Sequence, residues 1–157
     1  MGMGLVPEGR QIFTTLTVEE NLMATARAAR GSCSWTLDRV FGLFPVLEER
    51  RRHLGCHISG GEQQMLALGR ALMTNPDLLI LDEATEGLAP KIRDSIWDCL
   101  KTLKDSGLSI LVVDKNIARV CDTCDRLYLI EKGRIVWQGD PRSAGKDHSL
   151  ILSSLGV

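Results

Sequence analysis

The chain has 157 residues, 44% of them hydrophobic and 25% charged, with a formal net charge of −1. That length and balance give one globular domain with a real core, and a near-neutral surface argues against nonspecific nucleic-acid binding, which needs a basic face. No apolar run approaches the roughly 18 residues of a membrane span. The opening MGMGLVPEGR lacks the apolar centre of a signal peptide, and Val6 stands where a myristoylation signal needs Ser or Thr. Five cysteines, odd in number and without a framework spacing, fit reduced cytosolic thiols.

In chain order, Met3 to Val6 predicts a short strand ending at Pro7-Glu8-Gly9. Thr17 with Glu20 three residues on has the spacing of a capping box and predicts a helix start. Helical pattern resumes through Leu37, Val40, Phe41 and Phe44, and again from Leu47 to His53, so residues 14–57 read as mostly helical. Glu48 to Arg52 reads as a solvated helix end. His53, Cys56 and His57 form a lone cluster without the second half of a zinc spacing.

The stretch Ile58 to Pro90 is the most informative. Ser59-Gly60-Gly61-Glu62 again has capping-box spacing, and its glycines let backbone approach a ligand closely. The helix that follows puts Met65, Leu68, Ala71 and Leu72 on one face and stops before Asn75-Pro76. A capped helix N-terminus presents free N–H groups and the positive end of the dipole, an arrangement suited to phosphate. Leu78 to Leu81 is apolar without alternation, which predicts a parallel strand covered on both faces. It delivers Asp82 and Glu83 to its C-terminal end, where ligands of open α/β sheets sit. Two adjacent carboxylates there can divide the work, one holding Mg²⁺ and the other orienting a water for attack on a phosphoryl group.

Beyond it, Lys91 to Asp105 is an amphipathic helix with Ile92, Ile96, Cys99, Leu100 and Leu103 on one face, closed by Ser106-Gly107. Ser109 to Val113 predicts another buried strand and Ile117 to Cys124 a short helix. Leu127 to Ile130 and Ile135 to Trp137 predict a hairpin through Lys132-Gly133, and His148 to Leu155 a terminal helix. Cys121 and Cys124 form a single pair, better explained by partly buried packing than by zinc. The order is that of an α/β fold with a parallel sheet and an antiparallel element at the end. A nucleotide-cradling G-x-x-x-x-G-K-[ST] is absent. Gly139 to Lys146 mimics it only in outline: five residues separate Gly139 from Gly145, and Asp147 stands where Ser or Thr must bind Mg²⁺.

Ser59-Gly60-Gly61-Glu62-Gln63-Gln64 resembles the signature motif of ATP-binding cassette (ABC) ATPases, and Leu78 to Glu83 resembles their Walker B strand with its catalytic Glu. The two occur in the family's order and at about its spacing. The resemblance implies a P-loop NTPase of the ABC type, incomplete because the first strands and the P-loop precede Met1 in the family's plan. It implies one partial ABC ATPase domain over 1–157, with 1–13 and 71–157 as the core α/β part and 14–70 as a helical subdomain ending in the signature helix. Val6 to Arg10 stands at the Q-loop position, with Glu8 in place of the usual Gln; Glu8 can accept hydrogen bonds and ligate Mg²⁺ but cannot donate as an amide does. By the same resemblance Asp82 holds Mg²⁺, Glu83 is the catalytic base, and Ser59, Gly60, Gly61 and Glu62 contact ATP held by the opposite subunit. Lys115 stands where most members have a switch His, and can offer charge to the γ-phosphate but not neutral-imidazole chemistry. Ala89 stands at the family's D-loop Asp.

Within the family, Val6 to Arg10, Leu16 to Leu22, Ser59 to Leu66, Gly87 to Pro90 and the non-His residue Lys115 resemble the LivF-type subunit of branched-chain amino acid importers. That implies a peripheral ATP-hydrolysing subunit on the cytoplasmic face of the bacterial inner membrane, using ATP and Mg²⁺. Its partners would be a sister ATP-binding subunit, two membrane permease subunits and, indirectly, a periplasmic binding protein, with no nucleic acid. Urea and amide importers share much of the pattern. A different class of reading is a noncatalytic module that supplies only its signature to a partner's ATP. A soluble ABC ATPase of DNA repair or translation fits less well with the neutral charge and the short helical block.

Overall fold

The computed structural model describes residues 2–28 and 34–144. The chain divides into two compact units, Met1–Asp114 and Lys115–Val157.

In the first unit, β1 (Met3–Val6), β2 (Leu78–Asp82) and β3 (Ser109–Val113) form a parallel sheet in the order β1-β2-β3. The register sets Val6 opposite Leu81 and Asp82 opposite Val113, so all three strands end at one edge. Side chains alternate across a strand. Gly4, Val6, Leu79 and Leu81 are buried on one face. On the other, Met3 is 65% exposed, Leu5 58%, and Leu111 and Val113 50% each. The unbroken apolar run of β2 predicts cover on both faces; the described residues cover only one, and Leu78 and Ile80 are half-buried.

The covered face carries α4 (Gly60–Met73), which also packs against α1 (Val18–Ala24), α2 (Leu37–Leu43) and α3 (Pro45–Glu49). Wedged between helices and sheet, α4 buries Gln64, Leu66, Ala67, Gly69 and Met73 besides the predicted face of Met65, Leu68, Ala71 and Leu72. The fit is tight. A Cβ on Gly69 would lie 2.8 Å from Val40 Cγ1 and 2.9 Å from Leu22 Cδ2, so α1 and α2 reach α4 only over a glycine.

The helical block is less helical than its pattern predicts. Thr17 does form a full capping box with Glu20, but α3 stops at Glu49 and Arg50 to His53 is a turn. The reason is that carbonyls from this stretch are used elsewhere. His53 O accepts from Val18 N–H at 2.9 Å and Arg51 O from Glu19 N–H at 3.1 Å, stitching the start of α1 to the loop before α4. Glu48 to Arg52 are exposed as expected, though Arg51 pairs with Glu19 at 2.7 Å. Asn21 is completely buried. Its Oδ1 accepts from Phe13 N–H at 2.9 Å, and its Nδ2 donates to the carbonyls of Phe13, Leu16 and Thr17 at 2.8, 3.2 and 2.9 Å.

Between β2 and β3 runs α5 (Pro90–Asp105), burying Ile96, Trp97, Cys99, Leu100 and Leu103. Trp97, outside the predicted set, is among its most buried members, and Ile92 is only half-buried. The helix ends in a Schellman motif: Leu108 N–H donates to Leu103 O, Gly107 N–H to Lys104 O, and Gly107 has φ +91°.

The second unit opens with α6 (Ile117–Thr123), capped by Asn116. The antiparallel pair β4 (Leu127–Glu131) and β5 (Arg134–Gly139) follows, then α7 (Pro141–Ala144), which the sequence pattern does not predict. Lys132 and Gly133, at φ +48° and +77°, make the two-residue hairpin turn. Cys121 and Cys124 are half-buried. The helix predicted over His148 to Leu155 lies outside the described residues. No helix among those described is long and apolar enough to cross a membrane.

Asn21→Ala removes the side-chain hydrogen bonds of a fully buried amide and leaves Phe13 N–H without its partner, so it should cost about 2–4 kcal/mol in urea unfolding. A loss within about 0.5 kcal/mol, the range of ordinary surface substitutions, would show that the staple does not hold the helical block.

Candidate functional site

The turn at the head of α4 is built as its sequence predicts. Ser59 has extended backbone and its Oγ accepts from Glu62 N–H, while Glu62 Oε2 accepts from Ser59 N–H at 2.6 Å. Arg50 Nε lies 3.6 Å from Glu62 Oε1. Burial pushes the Glu62 carboxyl up, but hydrogen bonds from Ser59 and the charge of Arg50 together outweigh it and hold the carboxyl below its ordinary value. The cap uses the N–H groups of Ser59 and Glu62; those of Gly60 and Gly61 lie outside the helix's own ladder. Both glycines also have a packing reason. A Cβ on Gly60 would lie 2.6 Å from Arg10 Nη1, and one on Gly61 2.9 Å from Ile92 Cγ2.

Arg10 comes from the loop after β1. Glu8 is exposed there, two residues beyond Val6, which pairs with Leu81. Glu8 and Asp82 thus leave neighbouring strands at the same end of the sheet. Gly9, Arg10 and Gln11 are all left-handed, at φ +78°, +67° and +44°, which is unfavourable for the two residues with a Cβ. Contacts with α4 hold them. Arg10 Nη1 donates to Gln63 Oε1 at 3.4 Å, and Arg70 Nη1 to Gln11 O at 2.9 Å. The Arg70 guanidinium lies 4.2 Å over the Phe13 ring.

At the end of β2, Asp82 is exposed and Glu83 half-buried. Glu83 N–H donates to Val113 O at 2.9 Å, so the strand-end turn hangs on the end of β3. Among the described residues no three His, Cys, Asp or Glu side chains are gathered as a metal site. Glu8, Asp82 and Glu83 are therefore not a protein cage for a cation. Ala89 is the N-cap of α5 and supplies no side-chain cap; Pro90 at N1 limits the loss. Lys115 is exposed at the start of the second unit, with its carbonyl accepting from Ile117 N–H.

The family model described as "ABC transporter" matches residues 1–86, the segment that carries the capped turn, β2 and the two carboxylates. The chain belongs to the ABC transporter family. Among curated relatives, the high-affinity branched-chain amino acid transport ATP-binding protein BraG of Pseudomonas aeruginosa is 44% identical over 135 residues, covering 85% of this chain and 58% of BraG. A probable LivF of Archaeoglobus fulgidus is 35% identical, covering 88% of this chain and 60% of LivF. The lipopolysaccharide export protein LptB of Haemophilus influenzae is 31% identical, covering 99% of this chain and 66% of LptB. The chain therefore spans about three-fifths of the length of the first two. Among solved structures, a dimeric post-hydrolysis ATP-binding cassette bound to ADP and Pi superposes with a TM-score of 0.73 at 24% identity, over 90% of this chain and 63% of that one. The fold is that of the ABC ATPase.

In this ABC chain the motifs expected from sequence occupy the ends of α4 and β2. Sequence reasoning passes over Arg10 and Thr85. Arg10 belongs to the quoted Q-loop pentapeptide, yet nothing in its spacing shows that its guanidinium lies on Gly60. Thr85, two residues after Glu83, is a buried hydroxyl bonded to Asp114.

Glu83 itself has φ +47°. Because that conformation disfavours a Cβ, Glu83→Gly should be more stable than Glu83→Ala by about 1 kcal/mol. Thermal melts of the two variants check this, and an Ala variant as stable as the Gly variant would contradict the left-handed backbone.

Proposed function

We propose that the chain is part of the ATP-hydrolysing subunit of an importer of branched-chain amino acids. The observation that carries this reading is the Asp82–Glu83 pair at the C-terminal edge of a parallel sheet, in a chain 44% identical to BraG. In this reading 1–13 and 71–157 are the core part and 14–70 the helical subdomain. The subunit sits on the cytoplasmic face of the inner membrane, with a sister ATP-binding subunit, two permease subunits and, indirectly, a periplasmic binding protein.

The residues suit an ATP·Mg²⁺ group of a particular kind. Carboxylates at a strand end suit Mg²⁺, which keeps waters and takes one or two carboxylates plus phosphate oxygens. When bound, Mg²⁺ neutralises phosphate charge. Asp82 would hold it, with Glu8 reaching the same edge from β1. Glu83 would orient the attacking water and accept its proton. Ser59, Gly60, Gly61 and Glu62 would present the capped turn to ATP held by the sister subunit, Gly60 and Gly61 donating their N–H groups. Lys115 would add positive charge towards the γ-phosphate.

The test joins the chain behind a P-loop-bearing segment taken from BraG. The product should hydrolyse ATP, and Glu83→Gln should keep ATP binding while losing roughly 10²–10⁴-fold of turnover. Turnover at the parent rate in that variant would refute the role of Glu83. In cells lacking BraG the same product should restore leucine uptake; restored hydrolysis without uptake would count against the substrate.

A second reading is a chain that donates only its signature turn to a partner's ATP. It is favoured by the intact Ser59–Glu62 cap, which forms within this chain without any nucleotide of its own. In that case Glu83→Gln is silent in the partner complex, whereas Ser59→Arg abolishes ATP-driven association.

A further inference from the structure

We infer that Thr85 and Asp114 form a clamp that fixes the direction of Glu83, which makes both of them positioning residues for hydrolysis. The inference rests on the reading of Glu83 as the residue that orients water. Glu83 occupies left-handed backbone at φ +47°, where Gly is the relaxed choice and a Cβ is crowded. A carboxylate at such a position is kept there for its side chain rather than for its backbone. Conformations of this kind persist when the surroundings over-determine them.

The surroundings do so here. Glu83 N–H donates to Val113 O at 2.9 Å, and Glu83 O accepts from Glu86 N–H at 3.1 Å. Both backbone polar groups of residue 83 are thereby engaged. Two residues on, Thr85 is 4% exposed, and its Oγ1 donates to Asp114 Oδ2 at 2.5 Å. Val113 is the last residue of β3 and Asp114 the next. The end of β3 therefore grips the turn at two points, through a backbone carbonyl and through a carboxylate. Ala84, between the two grips, is buried as well.

The Thr85–Asp114 bond is a hydroxyl donating to a carboxylate, the short and strong kind, in a place where water competes poorly. Without it, the end of β3 loses its side-chain grip on the turn, and the 83–84 peptide is freer to rotate about the bond from Glu83 N–H to Val113 O. Residue 83 then relaxes away from φ +47°, and its carboxylate moves with it. Angstrom-scale misplacement of a reacting group costs catalysis far more than stability.

The test is amide hydrogen exchange on the full 157-residue chain, which needs neither nucleotide nor turnover. Thr85→Val keeps the shape and removes the hydroxyl. The Glu83 and Glu86 amides should then exchange about tenfold faster, the size of one net hydrogen bond. The β1–β2 ladder should keep its protection, and Thr85→Ser should restore the parent pattern. Unchanged exchange at Glu83 and Glu86 overturns the clamp. Equal acceleration through the whole sheet also overturns it, since Thr85 would then be an ordinary stability residue. Asp114→Ala removes the acceptor from the half-exposed side and must give the same selective acceleration; if Thr85→Val does not fold, this variant alone decides. The exchange result is independent of the Glu83→Gln turnover, so failure of the clamp and failure of the hydrolysis reading are told apart.

Discussion

The burial of α4 on all sides is the constraint from which the rest of the first unit follows. Leu66, Leu68 and Leu72 are essentially inaccessible, and the helix has α1, α2 and α3 on one side and β1 on the other. A helix held this way cannot shift without disturbing the sheet and the helical block together, because interiors packed at this density transmit displacement. Its far end is fixed as well. Asn75, left-handed at φ +52°, accepts from Trp35 N–H at 2.6 Å and donates to Arg27 O at 2.7 Å.

That constraint explains why the candidate site is spread along one helix and one sheet edge. The capped turn at Ser59 is the start of α4. The loop carrying Glu8 has three left-handed residues in a row, two of them with a Cβ, and is held by Arg10 at the first turn of α4 and by Arg70 further along it. Glu8 leaves β1 beside the strand that ends in Asp82. The same architecture leaves one sheet face apolar and uncovered among the described residues, with Met3, Leu5, Leu111 and Val113 outward.

Local chemistry was legible in the sequence wherever a short spacing decides the outcome. The Thr17–Glu20 and Ser59–Glu62 boxes, the Lys132-Gly133 turn and the helix stop at Gly107 all depend on residues within a few positions of each other. What the sequence did not show depends on distant partners. The Leu47 to His53 pattern looks helical, yet the carbonyls of Arg51 and His53 are taken by the start of α1, so the helix ends early. The apolar run in β2 signals two covered faces, a statement about neighbours that the run itself cannot supply. Nothing in Pro7 to Gln11 announces three left-handed residues, since the arginines that stabilise them are drawn from the tertiary fold. Nothing near Thr85 in the chain points to its hydroxyl's partner, Asp114, which lies 29 residues away.

This chain carries an acidic strand end and a capped helix start, and its 157 residues contain no G-x-x-x-x-G-K-[ST] to grip the phosphates of ATP. Asp82 and Glu83 alone present negative charge to a polyanion. Calorimetric titration of MgATP into the purified chain, with its association state followed by size-exclusion chromatography, tests this most directly. The account predicts no saturable heat at micromolar ATP, and self-association through the uncovered apolar face. Micromolar affinity in a clean monomer would contradict it and require a nucleotide site elsewhere in these residues.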